Sequence, residues 1–262
     1  MQKSMIPGNL KRRTLAERLG ISWRLAKGRA RYLRRAIKGT FGHYPRECPM
    51  CGWQGLFLNF GTPPRFDVVY PCCGSHPRHR LLSLVQQREI LVPPNSEILH
   101  FAPERSLKPI ISEAAAKRRV TADLENGGDL KLDIERIGLP DQSFDVAICS
   151  HVLEYVDDKL ALSELHRILR DSGRLILMVP IIEGSGKTYE DPSITSWHDR
   201  KIHFGGGTHV RHYGRDFRDR LRAAGFELHE YCADDYEPIR FGLVRGERIF
   251  VGTKSADPRG RL

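Results

Sequence analysis

Two consecutive segments decide the fold of this chain: Asp141-Gln-Ser-Phe-Asp-Val-Ala-Ile-Cys-Ser-His-Val-Leu-Glu-Tyr155 and Leu162-Ser-Glu-Leu-His-Arg-Ile-Leu-Arg-Asp-Ser-Gly-Arg-Leu-Ile-Leu177. The apolar runs at 144–149 and 174–179 predict two buried strands, and residues 159–169 between them repeat apolar side chains at helical spacing. The order strand, helix, strand is typical of a parallel sheet with helices on both faces. The fold is therefore predicted to belong to the α/β class.

The same alternation continues on both sides of these segments. Further strands are predicted at 97–101, 119–122, 227–231 and 248–253, and further helices at 106–118 and 216–224. The last two strands are predicted to form an antiparallel pair. In the helix at 159–169, four side chains are predicted to face the core: Leu160, Leu162, Leu165 and Ile168.

Charge is distributed unevenly along the 262 residues. Residues 1–40 carry twelve Lys or Arg residues and one acid, a net charge of +11, although the whole chain carries +10. Apolar residues at three- and four-residue steps between Thr14 and Ile37 predict an amphipathic helix with a basic outer face. Such a face can simply be solvated, or it can bind an anionic membrane surface or RNA. A cleaved transit peptide and the first half of a helix-turn-helix are further interpretations.

Composition and segment boundaries limit the possible classes of protein. Hydrophobic residues make up 40% of the chain, which is enough for a sizeable core. The longest apolar run, residues 175–182, is far shorter than the ~20 residues that span a bilayer, so no transmembrane segment is predicted. With no secretory signal visible, a cytoplasmic location is expected. We divide the chain into a basic arm (1–42), a cysteine-rich segment (43–94), an α/β domain (95–254) and a tail (255–262).

Four of the six cysteines lie close together in the sequence: Cys48, Cys51, Cys72 and Cys73. A Cys-x-x-Cys-Gly turn followed about twenty residues later by a second cysteine turn has the spacing of a zinc ribbon, in which each turn aims two thiolates at one tetrahedral ion. A regular second turn would need Cys at position 70, which is Tyr70, so Cys72, His76 or His79 is a candidate for the fourth ligand. Structural zinc is predicted; a metal-free relic of a ribbon and a redox or disulfide role are the alternatives.

Polar residues follow the predicted strands of the α/β domain, at the edge where open α/β sheets bind their ligands. Over about residues 95–254 the sequence resembles class I S-adenosylmethionine-dependent methyltransferases, because the two segments quoted first match that family's central motifs in order. More narrowly, it resembles a bacterial branch with a cysteine-rich front segment through three further runs: Cys73-Gly-Ser-His-Pro-Arg-His-Arg80, Leu99-His-Phe-Ala-Pro-Glu104 and Phe204-Gly-Gly-Gly-Thr-His-Val-Arg-His-Tyr-Gly214. The resemblance implies a Rossmann-like sheet and S-adenosylmethionine as cofactor.

The resemblance also implies roles for individual residues. Those that match cofactor-binding positions are His100, Ala102, Pro103 and Glu104 in the first loop, Asp123 at the ribose, Asp133 and Ile134 at the adenine, and Ser150 and His151 beside the cofactor. The family's first loop is rich in glycine, which lets the backbone approach the methionine moiety. Here that loop contains no glycine, and only Ala102 is small.

The polar insertion at 183–214 follows the strand whose end faces the methyl group in this family. Its side chains predicted to bind the acceptor are Thr188, Glu190, Arg200, Arg211 and Tyr213. The candidate bases are His209 and His203, with His151 third, because histidine can take a proton near neutral pH. Three consecutive glycines at 205–207 predict a lid that closes over the site. For each histidine the alternative is a structural role in the loop or core.

Together these features predict methyl transfer to the hydroxyl of a small molecule or saccharide, because the insertion offers a histidine-rich pocket and the α/β domain is not basic. The main alternative is an RNA base methyltransferase that grips phosphates with the zinc ribbon and the basic arm, with an affinity that falls steeply with salt. A non-catalytic binding module is the second alternative, motivated by the loop without glycine.

Overall fold

The computed structural model describes residues 41–60, 65–113, 116–125 and 127–255, together with Ala30. The basic arm predicted at 1–42 therefore lies almost entirely outside the described residues, as does most of the tail. Two sheets of more than two strands are present in the described chain, one of three strands and one of seven. Within these residues, no helix combines the length and the apolar character needed to cross a membrane.

The cysteine-rich segment forms the smaller sheet. Its antiparallel strands β1 (Phe41–Glu47), β2 (Gln54–Phe60) and β3 (Arg65–Val69) precede helix α1 (Pro77–Glu89). Cys48, Phe57 and Tyr70 are fully buried in a small core of their own. Pro77 lies in the first turn of α1, where its missing N–H would have had no helical partner. Leucines of α1 instead join the core beneath the larger sheet.

The larger sheet has the strand order β11-β12-β8-β7-β4-β5-β6. Its strands are β4 (Glu97–Phe101), β5 (Arg118–Asp123), β6 (Leu130–Lys131), β7 (Phe144–Ser150), β8 (Leu169–Met178), β11 (Phe226–Cys232) and β12 (Arg248–Lys254). Strands β6, β5, β4, β7 and β8 are parallel, and β12 is antiparallel to both β8 and β11. The predicted antiparallel pair at the end of the domain is confirmed.

Helices cover both faces of this sheet. They are α2 (Lys108–Glu113), α3 (Asp158–Ile168), α4 (Trp197–Phe204), α5 (Phe217–Ala223) and α6 (Glu237–Phe241), with single 3-10 turns at Arg105–Leu107 and Leu153–Tyr155. Successive residues of β7 point to opposite sides: Ala147 packs in the core with α3 and α5, and Val146 and Ile148 pack in the core with α1 and α2. The predicted α/β layers are therefore confirmed.

Two details of the predicted helices are wrong. Within the described residues, the helix predicted at 106–118 contains the end of a 3-10 turn and the short α2, and Arg118 instead begins β5, where it pairs with Glu97 of β4. Leu160 is 51% exposed, because the buried stripe of α3 runs through Ala161 and continues at the next helical steps along the same face.

The insertion at 183–214 contains α4 and a two-stranded sheet of β9 (Tyr189–Glu190) and β10 (Arg211–His212). Gly205 ends α4 in the left-handed conformation, with φ of 75°. A Cβ at position 206 would lie 2.9 Å from the ring of His209, and one at position 207 would lie 2.1 Å from the ring of Trp197. Close packing thus explains these glycines in the structure, and the lid motion stays a prediction.

One buried arginine joins the two sheets. The Arg80 guanidinium donates hydrogen bonds to the carbonyl oxygens of Val68 (3.0 Å), Ser75 (2.7 Å) and Phe241 (2.8 Å), so it connects β3 and α1 with α6. Burial lowers the pKa of Arg80 to about 10, which still leaves it charged at neutral pH. The cysteine-rich segment is therefore fixed against the α/β domain by an interior cation.

Candidate active site

The loop after β4 makes a tight turn without glycine. Ala102 has φ of 45°, in the left-handed region that favours glycine, and its N–H donates to the carbonyl oxygen of Ala122 on β5 (2.8 Å). The left-handed conformation costs an L-residue about 1–2 kcal/mol. The loop thus makes a tight turn that lets a ligand approach its backbone closely, although the left-handed conformation strains Ala102.

Glu104, at the end of the same loop, is held by three side chains. It accepts hydrogen bonds from Arg78 Nε (3.1 Å to Oε2), His79 Nε2 (2.6 Å) and Ser150 Oγ (3.0 Å), and a terminal nitrogen of Arg78 also contacts it. Burial opposes ionisation of this carboxyl, but the hydrogen bonds from His79 and Arg78 outweigh burial and hold the pKa of Glu104 far below its usual range. Glu104 is thus a carboxylate whose acceptor positions are occupied by protein donors.

Asp123 and Asp133 lie at the carboxyl end of β5 and just after β6. Oδ1 of each accepts a hydrogen bond from the N–H two residues later, at 2.9 Å. A Cβ on Gly127 would approach Asp123 Oδ2 to 3.0 Å, so glycine keeps space beside this oxygen. Ile134 is only 4% exposed and packs in the core, which leaves its backbone as the part that can face a ligand.

His100 is fully buried in β4, and neither ring nitrogen has a hydrogen-bond partner among the described residues. Burial lowers the pKa of His100 to about 4, so the ring is neutral. Buried polar groups are normally paired, so these nitrogens need a ligand or water. Together with the half-buried Pro103, the turn at Ala102 and the second oxygen of Asp123, His100 fits a bound S-adenosylmethionine along this edge of the sheet.

His151 directly follows β7 and also has a positive φ, 53°. Its Nδ1 lies 3.1 Å from Oε1 of Glu154, whose side chain is 2% exposed. Because the carboxylate accepts, Nδ1 carries the hydrogen and Nε2 is the nitrogen that can take a proton. This arrangement is that of a general base oriented by a buried carboxylate.

A cavity of about 260 Å³ lies beside His151, at the end of β8. Arg65 from β3 lines it, so the cysteine-rich segment contributes to its wall. Glu247 also lines it, and its Oε2 is buried without a partner among the described residues. Burial raises the pKa of Glu247. The cavity therefore combines a candidate base with a carboxyl group that lacks a hydrogen-bond donor.

The other two candidate bases lie outside the lining of this cavity. His209 Nδ1 lies 3.1 Å from the carbonyl oxygen of Phe204, so that nitrogen carries the hydrogen, and Nε2 accepts from the Tyr155 hydroxyl (3.0 Å). His203 is exposed on α4, with Nδ1 2.6 Å from the Tyr189 hydroxyl. The geometry favours His151, which the sequence placed third.

Two residues predicted to bind the acceptor are buried instead. Tyr213 is 1% exposed, and its hydroxyl donates to Leu153 O (3.0 Å) and lies 3.1 Å from Asp158 Oδ2. Arg211 is 8% exposed and donates to Leu153 O (2.8 Å) and to Glu190 Oε2 (2.8 Å). These contacts contradict the prediction for both residues, because internal partners occupy their polar atoms and hold the insertion on the domain.

The remaining predicted acceptor residues have mixed positions. Glu190 also pairs with Arg220 (2.7 Å), and Thr188 Oγ1 donates to Asp216 (2.7 Å), so both take part in internal polar networks, and their contact with an acceptor stays a prediction. Arg200 lines a second cavity, of about 350 Å³, between the insertion and the 3-10 turn after β7. Of the five residues, Arg200, Glu190 and Arg211 line this cavity.

Three thiols form a compact cluster. The sulfur atoms of Cys48, Cys51 and Cys73 all lie within 4.8 Å of one another, and those of Cys48 and Cys73 are 3.7 Å apart. Two sulfur ligands on a tetrahedral zinc ion, each at ~2.3 Å, would be separated by about 3.8 Å. Burial raises the pKa of Cys48 to about 11, so a thiolate there needs a cation beside it. The three residues fit a metal ion.

The second cysteine turn repeats the hydrogen bonds of the first. Gly52 N–H donates to Cys48 O (2.8 Å), and Gly74 N–H donates to Tyr70 O (3.0 Å) in the same relation. Tyr70 therefore lies where a regular zinc ribbon has its remaining cysteine. Its buried hydroxyl has no hydrogen-bond partner among the described residues. The prediction for Cys72 is corrected, because its sulfur lies outside the cluster formed by the other three thiols.

Both histidines considered as fourth ligands are also outside this cluster. His79 Nε2 contacts Glu104, and its Nδ1 accepts from the His76 N–H (3.1 Å). Sequence reasoning gave no role to Arg78, Glu154 or Glu247. The spacing of His151 and Glu154 was a usable signal for a base with its orienting carboxylate, whereas only the fold brings Arg78 and Glu247 to the site.

Comparison with known proteins identifies the domain. Residues 105–177 match the sequence model of a family described as a methyltransferase domain. This chain contains a methyltransferase domain. The match covers α2, β5, β7, α3 and most of β8. No curated protein matches the sequence.

Solved structures share the fold of this methyltransferase at low sequence identity. A chain from the complex between the Haloferax volcanii Trm112 methyltransferase activator and a methyltransferase is 14% identical, with a TM-score of 0.51 over 68% of this chain and 91% of that one. The Burkholderia thailandensis 1,6-didemethyltoxoflavin-N1-methyltransferase, solved with S-adenosylhomocysteine, is 16% identical, with a TM-score of 0.47 over 67% and 76%. At these identities the similarity concerns the fold alone.

Proposed function

We propose that this methyltransferase transfers a methyl group to a hydroxyl of a small molecule or saccharide, with His151 as the base. The observation that carries the proposal is the His151–Glu154 pair, Nδ1 to Oε1 3.1 Å, beside a cavity of about 260 Å³. Pockets that enclose drug-sized ligands have about 300–1,000 Å³. The cavity therefore suits a small acceptor or a single terminal sugar.

The chemistry divides between cofactor and protein. S-adenosylmethionine, when bound, supplies an activated methyl group on a sulfonium. His151 Nε2 takes the proton of the acceptor hydroxyl, and Glu154 stabilises the imidazolium that results. Oε2 of Glu247, buried without a partner among the described residues, is suited to accept a hydrogen bond from a second hydroxyl of the acceptor. We assign Asp123 to the ribose and the backbone of the Ala102 turn to the methionine moiety.

The test is formation of S-adenosylhomocysteine from S-adenosylmethionine, with sugars, small hydroxylated metabolites and RNA as separate acceptor sets. Turnover with a hydroxylated small molecule, lost in His151→Gln, is the expected result. Turnover with RNA alone would overturn the proposal and favour base methylation. Turnover with an alcohol that His151→Gln leaves intact would remove His151 as the base.

We also propose that Cys48, Cys51 and Cys73 hold a structural zinc ion. The support is the spacing of their sulfur atoms and the two matching turns that carry them. A segment of this size buries little apolar surface by itself, so an ion would contribute free energy of folding. Tyr70, in the position of a fourth cysteine, closes one side of the cluster.

Metal analysis of the purified protein tests this second proposal. Wild type and Cys72→Ser, a matched control at the exposed neighbouring thiol, are expected to hold about one zinc ion per chain, and Cys73→Ser to lose it. A folded, metal-free wild type would contradict the site. Equal metal loss in Cys72→Ser would show that Cys72 is a ligand after all.

A further inference from the structure

The cysteine-rich segment reaches directly into the first loop of the methyltransferase domain. Arg78 and His79 lie in the first turn of α1, and both donate to Glu104 at the end of that loop. The side chains of Arg78 and Glu104 are 23% and 21% exposed, so this pair is largely shielded from solvent. Removing one partner of a buried charge pair is strongly destabilising, because the other charge is left unpaired.

The loop after β4 differs from the first loop of the family that the sequence resembles, because it contains no glycine. It carries Ala102 in the left-handed conformation, without a glycine to relieve the strain. Such strained positions persist only where surrounding contacts fix them. Glu104, two residues later, supplies these contacts through Arg78 and His79, and through Ser150 at the end of β7.

We propose that Arg78 and His79 are positioning residues for the cofactor, which fix the loop at 102–104 through Glu104 and make the cysteine-rich segment part of the cofactor site. This inference rests on the use of S-adenosylmethionine. Glu104 does not itself bind the cofactor, because the donors of Arg78, His79 and Ser150 occupy its acceptor positions. Its role is to hold the backbone on which the methionine moiety lies.

The order of the chain explains how the segment reaches the loop. Ser75, between the second cysteine turn and α1, accepts a hydrogen bond from Arg80 and lies 3.7 Å from the Cys48 sulfur. The first turn of α1 is therefore anchored on one side to the thiol cluster and on the other to α6 through Arg80. Arg78 and His79 extend from this fixed turn.

Titration with S-adenosylhomocysteine by calorimetry tests the proposal on the full chain. Arg78→Ala is expected to weaken binding about tenfold, equivalent to about 1.4 kcal/mol. Arg78→Lys keeps the charge but loses the fork geometry, so it is expected to recover part of the affinity. Combining Glu104→Gln with Arg78→Ala should weaken binding by less than the two single losses together, because Arg78 acts through Glu104.

The matched control is Asp67→Asn, which breaks another shielded pair of the same segment, Arg46 Nη2 to Asp67 Oδ2 at 2.7 Å. It should lower the melting temperature while affinity for S-adenosylhomocysteine stays within about twofold, because it does not touch the loop.

Equal affinity of wild type and the Arg78 variants would overturn the proposal, as would an equal loss in Asp67→Asn. If Arg78→Ala does not fold, Arg78→Lys decides. A folded wild type that does not bind would overturn the function as well.

Discussion

Two loops that follow neighbouring strands each contain a non-glycine residue with positive φ, and different side chains fix the two loops. The loop after β4 contains Ala102 at φ 45°, and the loop after β7 contains His151 at φ 53°. The first is fixed by Arg78 from the cysteine-rich segment, acting on Glu104. The second is fixed by Glu154, three residues further along the same loop.

The difference separates two functions. The β7 loop contains both its functional residue and the carboxylate that orients it, so chemistry depends on a local pair. The β4 loop depends on side chains from another part of the chain, so cofactor binding depends on how the cysteine-rich segment packs. Variants at His151 and Glu154 should therefore affect turnover, and variants at Arg78 should affect cofactor affinity.

The largest effect is expected at the base itself. His151→Gln removes the group that accepts the proton, and general base catalysis contributes about 10²–10⁴-fold. We expect turnover with an identified acceptor to fall by that factor while affinity for S-adenosylhomocysteine changes little. A loss of affinity matching the loss of turnover would place His151 in cofactor binding instead.

The orienting carboxylate should have a smaller effect of the same kind. Glu154→Gln keeps the size but removes the charge that stabilises the imidazolium, and we expect a loss of about 10–100-fold, by analogy with the carboxylate partners of metal-bound histidines. Steady-state kinetics should show the loss in kcat. Glu164→Gln, which breaks the Arg167–Glu164 pair at the far end of α3, serves as the control and should leave kcat unchanged.

Tyr213 provides a contrast, since its hydroxyl contacts Leu153 of the β7 loop from within the core. Tyr213→Phe removes hydrogen bonds to Leu153 and Asp158 and should lower the free energy of unfolding by about 1–3 kcal/mol, because buried acceptors lose their donor. Chemical denaturation measures this change. A loss of turnover in a variant of unchanged stability would restore Tyr213 as an acceptor-binding residue.

The smallest effect concerns the strained alanine. Ala102→Gly relieves the left-handed strain but increases the freedom of the unfolded chain, so a net gain in stability of at most about 1 kcal/mol is expected. Ala161→Gly, in the middle of α3, should lose about 1 kcal/mol under the same denaturation. Destabilisation by Ala102→Gly would mean that Ala102 is not strained.

The sequence predicts the sheet well because strand and helix periods are local properties. The α/β layers and the antiparallel pair of β11 and β12 were predicted from the pattern of segments 97–253. The prediction for Leu160 was wrong because it assumed that every leucine and isoleucine of α3 faces the core. The buried face of the helix instead includes Ala161, and Leu160 lies outside it. A small buried residue is hard to recognise from hydropathy alone.

The site was predicted less completely, because its residues are paired across the chain. His209 and Arg211 have suitable chemistry in the sequence, yet the carbonyl oxygens of Phe204 and Leu153 occupy their nitrogens. Arg78 has no local signal, since its partner lies 26 residues away. Only the folded chain shows which polar groups have partners and which remain for a ligand.

We expect the first loop to form a working cofactor site although it contains no glycine. Calorimetric titration of the purified protein with S-adenosylhomocysteine, repeated on Asp123→Ala, tests it most directly. Binding by the wild type that is lost in Asp123→Ala is the predicted result, because Asp123 is the carboxylate assigned to the ribose hydroxyls. Absence of binding to folded wild-type protein would contradict the claim.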